Sequence, residues 1–236
     1  LLKEIEKQLK KRQWGQAIRL EVENGIDKRL LKIIRDDLEI EGDDIFHIEG
    51  PLDLTFLMKM YGLEGFGHLK ESGYLPPQQV PGLSGDYNIF EEIRKGDILL
   101  HHPYQSFLPV VDFIKTAAKD PDVLAIKQTL YRVSGNSPII AALALAAENG
   151  KQVSVLVELK ARFDEENNIV WAKMLEKAGC HVIYGLVGLK THSKITLVVR
   201  REEDGIRRYV HLGTGNYNDA TAKLYTDVGM FTCSRQ

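Results

Sequence analysis

The residues with the clearest chemical potential are a histidine and a lysine two positions apart, His192 and Lys194, at the start of an apolar run that ends at Val199. Side chains on a strand alternate between its faces, so this pair must leave one face while Thr191 and Ser193 leave the other. A neutral imidazole is nucleophilic near pH 7, and an ammonium beside it neutralises charge on a transferring group. The pair therefore predicts phosphoryl transfer through a phosphohistidine on His192, assisted by Lys194.

The spacing of this pair is a weak pattern by itself, because His68 and Lys70 repeat it in a glycine-rich stretch without strand character. The context of His192 is more specific, since a glycine-rich turn that ends at Asn216 follows one hairpin later. Glycines let backbone N–H groups approach an anion, and the Asn216 side chain adds a donor. The loop therefore predicts a phosphate-binding element beside His192.

Two arginines, Arg132 and Arg162, extend the same prediction. Each follows a predicted strand, and open α/β sheets bind ligands at the carboxyl ends of their strands. The guanidinium group is a planar fork that matches phosphate oxygens. Together with His192, these arginines predict one cationic pocket for a phosphate group.

Three further side chains are weaker candidates. His101 and His102 follow another predicted strand, and at most one of two adjacent histidines faces a given pocket. A helix that begins near Ser106 would direct its N-terminus at a phosphate. The ring of Tyr225, beyond the glycine loop, is suited to stacking on a nucleotide base, although tyrosine rings more often pack in a core or at its rim.

The elements that position these residues follow a regular order. Residues 1–78 predict a small α+β unit, and the stretch from Gly73 to Gly85, rich in proline and glycine, predicts the boundary. From residue 79 to 236, strand-like and helix-like segments alternate with short connections, which predicts an α/β domain with a mixed, largely parallel sheet flanked by helices. Asp204 and Gly205 indicate a tight turn, and therefore a hairpin, between the strands on either side.

Composition narrows the classes of partner. The 236 residues carry a net charge of −2, so no global basic field indicates nucleic acid. Cys180 and Cys233 lack metal-like spacing and fit free thiols in a reducing cytoplasm. No apolar run approaches the roughly 20 residues that span a bilayer. The chain begins without Met at Leu1, and we interpret it as a piece of a longer protein.

Five strings in order resemble the bacterial polyphosphate kinase family, and the resemblance extends over essentially the whole chain. They are HHPYQSF at 101–107, IKQTLYRVSGN at 126–136, VELKARFDEEN at 157–167, GLKTHSK at 188–194 and HLGTGNYN at 211–218. The resemblance implies part of that family's head domain at 1–78 and most of its first C-terminal domain, similar in fold to phospholipase D, at 79–236.

The resemblance also implies an activity. ATP would phosphorylate His192, and the phosphate would pass to inorganic polyphosphate, in a cytoplasmic homo-oligomer with possible peripheral membrane association. The family places Mg²⁺ near the positions of Arg132 and Arg162, and the nucleotide near that of Tyr225. Because arginine has no acceptor atom, we expect both arginines to bind phosphate oxygens that in turn hold Mg²⁺.

Two departures from the family patterns leave alternatives open. Phospholipase D motifs have Asp five positions after the lysine, where this chain has Val199. This departure disfavours hydrolysis of the lipid kind. The alternatives are a phospholipase-D-like phosphodiesterase or nuclease, and a non-catalytic module that binds polyanions. The polyphosphate kinase family also uses an N-terminal domain and a second C-terminal domain with another essential histidine, which predicts that these residues alone are inactive.

Overall fold

The structure, a computed structural model, describes residues 2–12, 15–71, 79–159, 161, 164–185 and 188–234. The chain divides at about residue 73 into two compact units, which we describe separately. Among the described residues, no helix combines the length and apolar character needed to cross a membrane.

The described residues of the first unit form a two-stranded parallel sheet and three α-helices. Its second helix begins after Asp27, whose carboxylate accepts N–H groups of Arg29 and Leu30 at 2.7 and 3.2 Å. The elements are α1 (Leu2–Arg12), β1 (Leu20–Glu23), α2 (Lys28–Leu38), β2 (Ile45–Ile48) and α3 (Phe56–Tyr61).

The second unit has a seven-stranded sheet with helices packed against it. Its elements are α4 (Ile89–Lys95), β3 (Ile98–His102), α5 (Leu108–Lys119), β4 (Val123–Leu130), α6 (Pro138–Glu148), β5 (Gln152–Val157), α7 (Glu165–Lys177), β6 (His181–Tyr184), β7 (Lys194–Glu202), β8 (Gly205–Gly213) and β9 (Asp227–Thr232).

The sheet has the strand order β3-β9-β8-β7-β4-β5-β6, and this confirms a mixed α/β sheet flanked by helices. The parallel part is smaller than predicted, because among the described strands of this sheet only the β4–β5 and β5–β6 pairs are parallel. The other four pairs are antiparallel, since β7 and β9 run against the remaining strands. Two-residue hairpins can join only antiparallel strands, and β7 passes into β8 through such a turn, with Glu202 opposite Gly205.

Aromatic rings join α4 and α5 to the sheet. The ring centroid of Phe90 on α4 lies 5.8 Å from that of Phe113 on α5 and 4.8 Å from that of Tyr209 on β8. Phe113 also packs at 5.2 Å against Phe231 on β9. All four side chains are fully buried, so this cluster anchors the antiparallel half of the sheet.

A charged network lies at the β7–β8 turn, far along the strand from His192. Arg200 contacts Asp120 at 2.9 Å and Glu202 at 2.8 Å, and Glu202 also accepts a hydrogen bond from the hydroxyl of Tyr209. The side chain of Glu202 is only 7% exposed, so its charge depends on these partners.

We predict that Arg200→Met lowers the free energy of unfolding of this unit by about 3 kcal/mol, since the largely buried carboxylate of Glu202 loses its guanidinium partner at 2.8 Å and keeps the longer contact with Arg94 at 3.5 Å. Denaturant unfolding followed by circular dichroism measures the change. The control is Lys95→Met, which breaks an exposed pair with Glu92 and should cost at most about 1 kcal/mol. Equal losses for the two variants would contradict the account.

Candidate functional site

The candidate site lies at one edge of the seven-stranded sheet. Because β7 and β9 run against the other strands, this edge collects the starts of these two strands and the ends of the other five. The register aligns His102 with Asp227, and Gly213 with both Gly229 and Lys194. The segments that carry most of the predicted site residues therefore meet at this edge of the sheet.

Hydrogen bonds from side chains at the ends of β4 and β5 hold the backbone at the start of β7 and in the segment before it. The hydroxyl of Thr129, near the end of β4, donates to the carbonyl of Ser193 at 2.7 Å and accepts the N–H of Ile195 at 3.0 Å. The N–H of Thr191 donates to Oε2 of Glu158 at 2.8 Å. The strand begins at Lys194, so His192 lies two residues before β7 rather than within it.

His192 and Lys194 converge as the alternation predicts. Nζ of Lys194 lies 3.1 Å from Nδ1 of His192 and donates to the backbone carbonyl of His192 at 2.6 Å. Lys194 is 5% exposed, whereas His192 is exposed. Burial lowers the pKa of Lys194, because the ammonium loses hydration, and the nearby carboxylate of Asp227 partly opposes this effect. An imidazole open to ligands therefore stands directly beside a largely desolvated cation.

Tyr131 and Lys190 belong to the same cluster, and the sequence reasoning missed both. The ring of Tyr131 packs at 69° against the His192 imidazole, with centroids 5.3 Å apart. Nζ of Lys190 and Nζ of Lys194 lie 5.2 and 5.5 Å from the Tyr131 centroid, within the range of cation–π contacts. The available signal was the alternation itself, since Lys190, His192 and Lys194 are spaced two residues apart.

Arg132 joins this cluster from the end of β4. Its Cζ lies 5.7 Å from the Tyr131 centroid, and its Nε contacts Oδ2 of Asp164 at 2.9 Å. The buried amide of Asn168 donates to the carbonyls of Tyr131 and Glu158, both at 2.8 Å, and so ties the ends of β4 and β5 together. Arg162, the second predicted arginine, lies outside the described residues.

Asn216 lies at the same edge but in a neighbouring cavity. This cavity has a volume of about 10 Å³ and is lined by His102, His211, Asn216 and Asp227, among others. The Oδ1 atom of Asn216 is buried there without a hydrogen-bond partner among the described residues. A Cβ atom on Gly215 would lie 2.5 Å from Oδ2 of Asp227, so the loop needs glycine at this position.

Tyr225 follows a short 3-10 helix, Thr221–Lys223, and comes two residues before β9. Its side chain is 64% exposed, which leaves the ring open to a planar ligand. Of the adjacent histidines, His101 is exposed and His102 is buried, as the alternation predicts. The backbone thus places Tyr225 at the edge of the site, while His102 faces the cavity.

Two buried histidines face each other across Gly229. A Cβ atom on Gly229 would lie 2.8 Å from Nε2 of His211 and 3.7 Å from Nε2 of His102. Burial lowers the pKa of both rings, and for His211 burial together with nearby His102 brings the pKa to about 3. His211 also hydrogen-bonds through Nδ1 to the hydroxyl of Tyr217 at 2.9 Å, and so fixes the loop that carries Asn216.

The described residues do not provide a protein site for Mg²⁺. They contain no group of three or more His, Cys, Asp or Glu side chains arranged to hold a metal ion. Arg132 has no acceptor atom and is paired with Asp164.

The fold and the site define an α/β domain with an accessible imidazole inside a group of cations. Residues 88–236 match the family model for polyphosphate kinase C-terminal domain 1, and residues 1–60 match that for the polyphosphate kinase middle domain. The chain therefore belongs to the polyphosphate kinase family.

Individual relatives agree with this assignment. The polyphosphate kinase of Halalkalibacterium halodurans is 65% identical, over 100% of this chain and 34% of that protein. That of Bacillus cereus is 62% identical, over 98% of this chain and 33% of that protein. The crystal structure of polyphosphate kinase from Porphyromonas gingivalis has a TM-score of 0.72 at 32% identity and covers 92% of this chain and 33% of that one. The chain thus spans about a third of the length of these relatives.

The buried histidine pair generates a prediction about acid stability. The unfolded rings bind protons below a pH of about 6.5, while the folded rings resist protonation, so stability falls as the pH drops from about 6.5 toward 3. We expect His211→Gln to reduce the slope of unfolding free energy against pH by about 1.4 kcal/mol per pH unit between pH 6 and 4, measured by denaturant titration.

The control for this experiment is His181→Gln, which replaces an exposed ring at the start of β6. This variant should keep the slope of the unaltered protein. If His211→Gln leaves the slope of unfolding free energy against pH unchanged, His211 accepts its proton in the folded state and the prediction is wrong.

Proposed function

We propose that this chain is part of an ATP-dependent polyphosphate kinase that passes the γ-phosphate of ATP through His192 to inorganic polyphosphate. The observation that carries this proposal is the convergence of His192, Lys194 and Arg132 around the ring of Tyr131. A nucleophile and fixed cations within reach of one phosphate are the main requirements of phosphoryl transfer, which depends on position and charge.

The reaction divides into two displacements on phosphorus. A nitrogen of His192 attacks the γ-phosphorus, the bond to the bridging oxygen breaks, and ADP leaves with that electron pair. A terminal oxygen of polyphosphate then attacks the phosphorus and releases the imidazole, and the reverse sequence makes ATP. Because Lys194 lies beside Nδ1, Nε2 is the nitrogen left to face the phosphate. Nε2 attacks in the tautomer that carries the ring proton on Nδ1, and in that tautomer Lys194 donates to the backbone carbonyl of His192 rather than to the ring.

The cations have separate tasks in this scheme. Lys194 neutralises charge on the transferring group, and its desolvation strengthens that interaction. Arg132 and Arg162 bind phosphate oxygens as planar forks. Mg²⁺ would arrive with ATP, bound to its phosphates, because the described residues lack a metal-binding cluster.

The nucleotide would lie toward the outer side of the edge. The exposed ring of Tyr225 is available to stack on adenine, and the side-chain amide of Asn216 would offer its Nδ2 donor to a phosphate. Neither side chain touches His192 in a described contact, so both assignments rest on the resemblance and on their place at this edge.

The chain spans about a third of the length of its relatives, so the full-length protein has further domains to consider. We propose that residues 1–78 are part of the family's head domain, and that residues 79–236 are its first C-terminal domain. Further domains would supply a second histidine and the remaining nucleotide contacts, in a homo-oligomer in the cytoplasm, where the two free thiols stay reduced. We expect the 236-residue chain not to make polyphosphate by itself.

Labelling of the full-length protein with γ-³²P ATP tests the proposal. We predict an acid-labile, alkali-stable label on His192 that leaves on addition of ADP or polyphosphate. In His192→Ala the label should fall to background, because no other imidazole lies in the cation cluster among the described residues.

The matched control is His68→Ala, which removes the other histidine with the same spacing to a lysine, in the 3-10 helix Gly67–Leu69. It should label as fully as the unaltered protein. A labelled His192→Ala protein would contradict the assignment of the nucleophile. A label that water removes as fast as polyphosphate does would favour a hydrolase.

A further inference from the structure

In the structure, a third side chain joins the predicted pair of His192 and Lys194, and all three lie against one aromatic ring. Lys190, His192 and Lys194 all contact Tyr131, at 5.2, 5.3 and 5.5 Å from its ring centroid. The imidazole therefore has an ammonium group on each side along the chain.

Two features make this arrangement a property of the fold. The backbones of Thr191, Ser193 and Ile195 are tied to Glu158 and Thr129, which turns the alternate side chains toward Tyr131. The carbonyl of Tyr131 is in turn held by the buried amide of Asn168. Hydrogen bonds to the backbone therefore hold both the segment that carries the lysines and His192 and the residue Tyr131 that they contact.

The two lysines differ in exposure, and this difference separates their roles. Lys194 is buried beside Nδ1 of His192. Lys190 is exposed, so its ammonium faces the solvent side of the same ring. Lys190 and Arg132 both contact the Tyr131 ring, so a linear phosphoanhydride chain that extends from His192 toward solvent would pass these two cations.

We propose that Lys190 binds the phosphate next to the transferring one, in both ATP and polyphosphate, and that Tyr131 is a positioning residue for His192 and its two lysines. This inference rests on the proposed function of His192. The face of the Tyr131 ring attracts the ammonium groups through its quadrupole, while its position limits the rotation of the imidazole. The phenolic hydroxyl has no part in the proposal.

Direct binding tests the role of Lys190. Tripolyphosphate titrated into the full-length protein by calorimetry should bind about tenfold more weakly to Lys190→Met, because one charge-assisted contact is lost. Lys190→Arg should restore most of the affinity. The control is Lys177→Met, which removes an exposed lysine at the end of α7 that leads into the start of β6, away from this edge. Unchanged affinity in Lys190→Met would overturn this assignment.

Steady-state kinetics test Tyr131. Tyr131→Phe keeps the ring and should retain kcat within about twofold, whereas Tyr131→Leu should lower kcat at least about tenfold, because the imidazole is held less precisely. The His192 ring protons should also lose their ring-current shift in Tyr131→Leu alone. Equal damage from both substitutions would show that the hydroxyl is what matters, and would overturn the positioning role.

These outcomes separate this inference from the proposed function. If His192 carries the label from ATP but Lys190→Met binds tripolyphosphate normally, the inference about Lys190 is wrong and the kinase proposal stands. If tripolyphosphate binding depends on Lys190 but no histidine is labelled, the surface binds polyanions and the phosphohistidine proposal is wrong.

Discussion

The pairing of β7 between β4 and β8 is the constraint on which the rest of the site depends. An antiparallel strand in this position must begin where its neighbours end, so the residues before it are delivered to the carboxyl-end edge of the sheet. The hydroxyl of Thr129 completes the pairing on both sides of Lys194. A shift of one residue in this register would turn His192 and Lys194 away from Tyr131.

The electrostatics of the site follow from that placement. Burial removes water from Lys194 and lowers its pKa, and the carboxylate of Asp227 offsets only part of this effect. An anion bound beside the ammonium would favour its charged form again. The ring of Tyr131 lies within about 6 Å of three cationic groups, those of Arg132, Lys190 and Lys194.

Much of this arrangement could be predicted from the sequence because it depends on local periodicity. The alternation of strand residues predicted that His192 and Lys194 converge, and it also separated His101 from His102. The turn signal at Asp204 and Gly205 predicted the β7–β8 hairpin, although the structure places the turn one residue earlier.

The parts that could not be predicted depend on long-range pairing. Contacts of Tyr131 with Lys190 and Lys194 join residues about 60 positions apart, and no local pattern encodes that β4 lies beside β7. The same limit explains why the parallel part of the sheet was overestimated, since strand–helix alternation fixes the order of elements but not which strand enters between two others. The His102–His211 pair across Gly229 also requires the register of β8 and β9.

The most direct test of the account is a structure of the full-length protein with a non-hydrolysable ATP analogue. We predict the γ-phosphorus at roughly 3–3.5 Å from Nε2 of His192, with its oxygens bound by Lys194 and Arg132. A γ-phosphate held elsewhere, with the imidazole of His192 packed against protein, would contradict it.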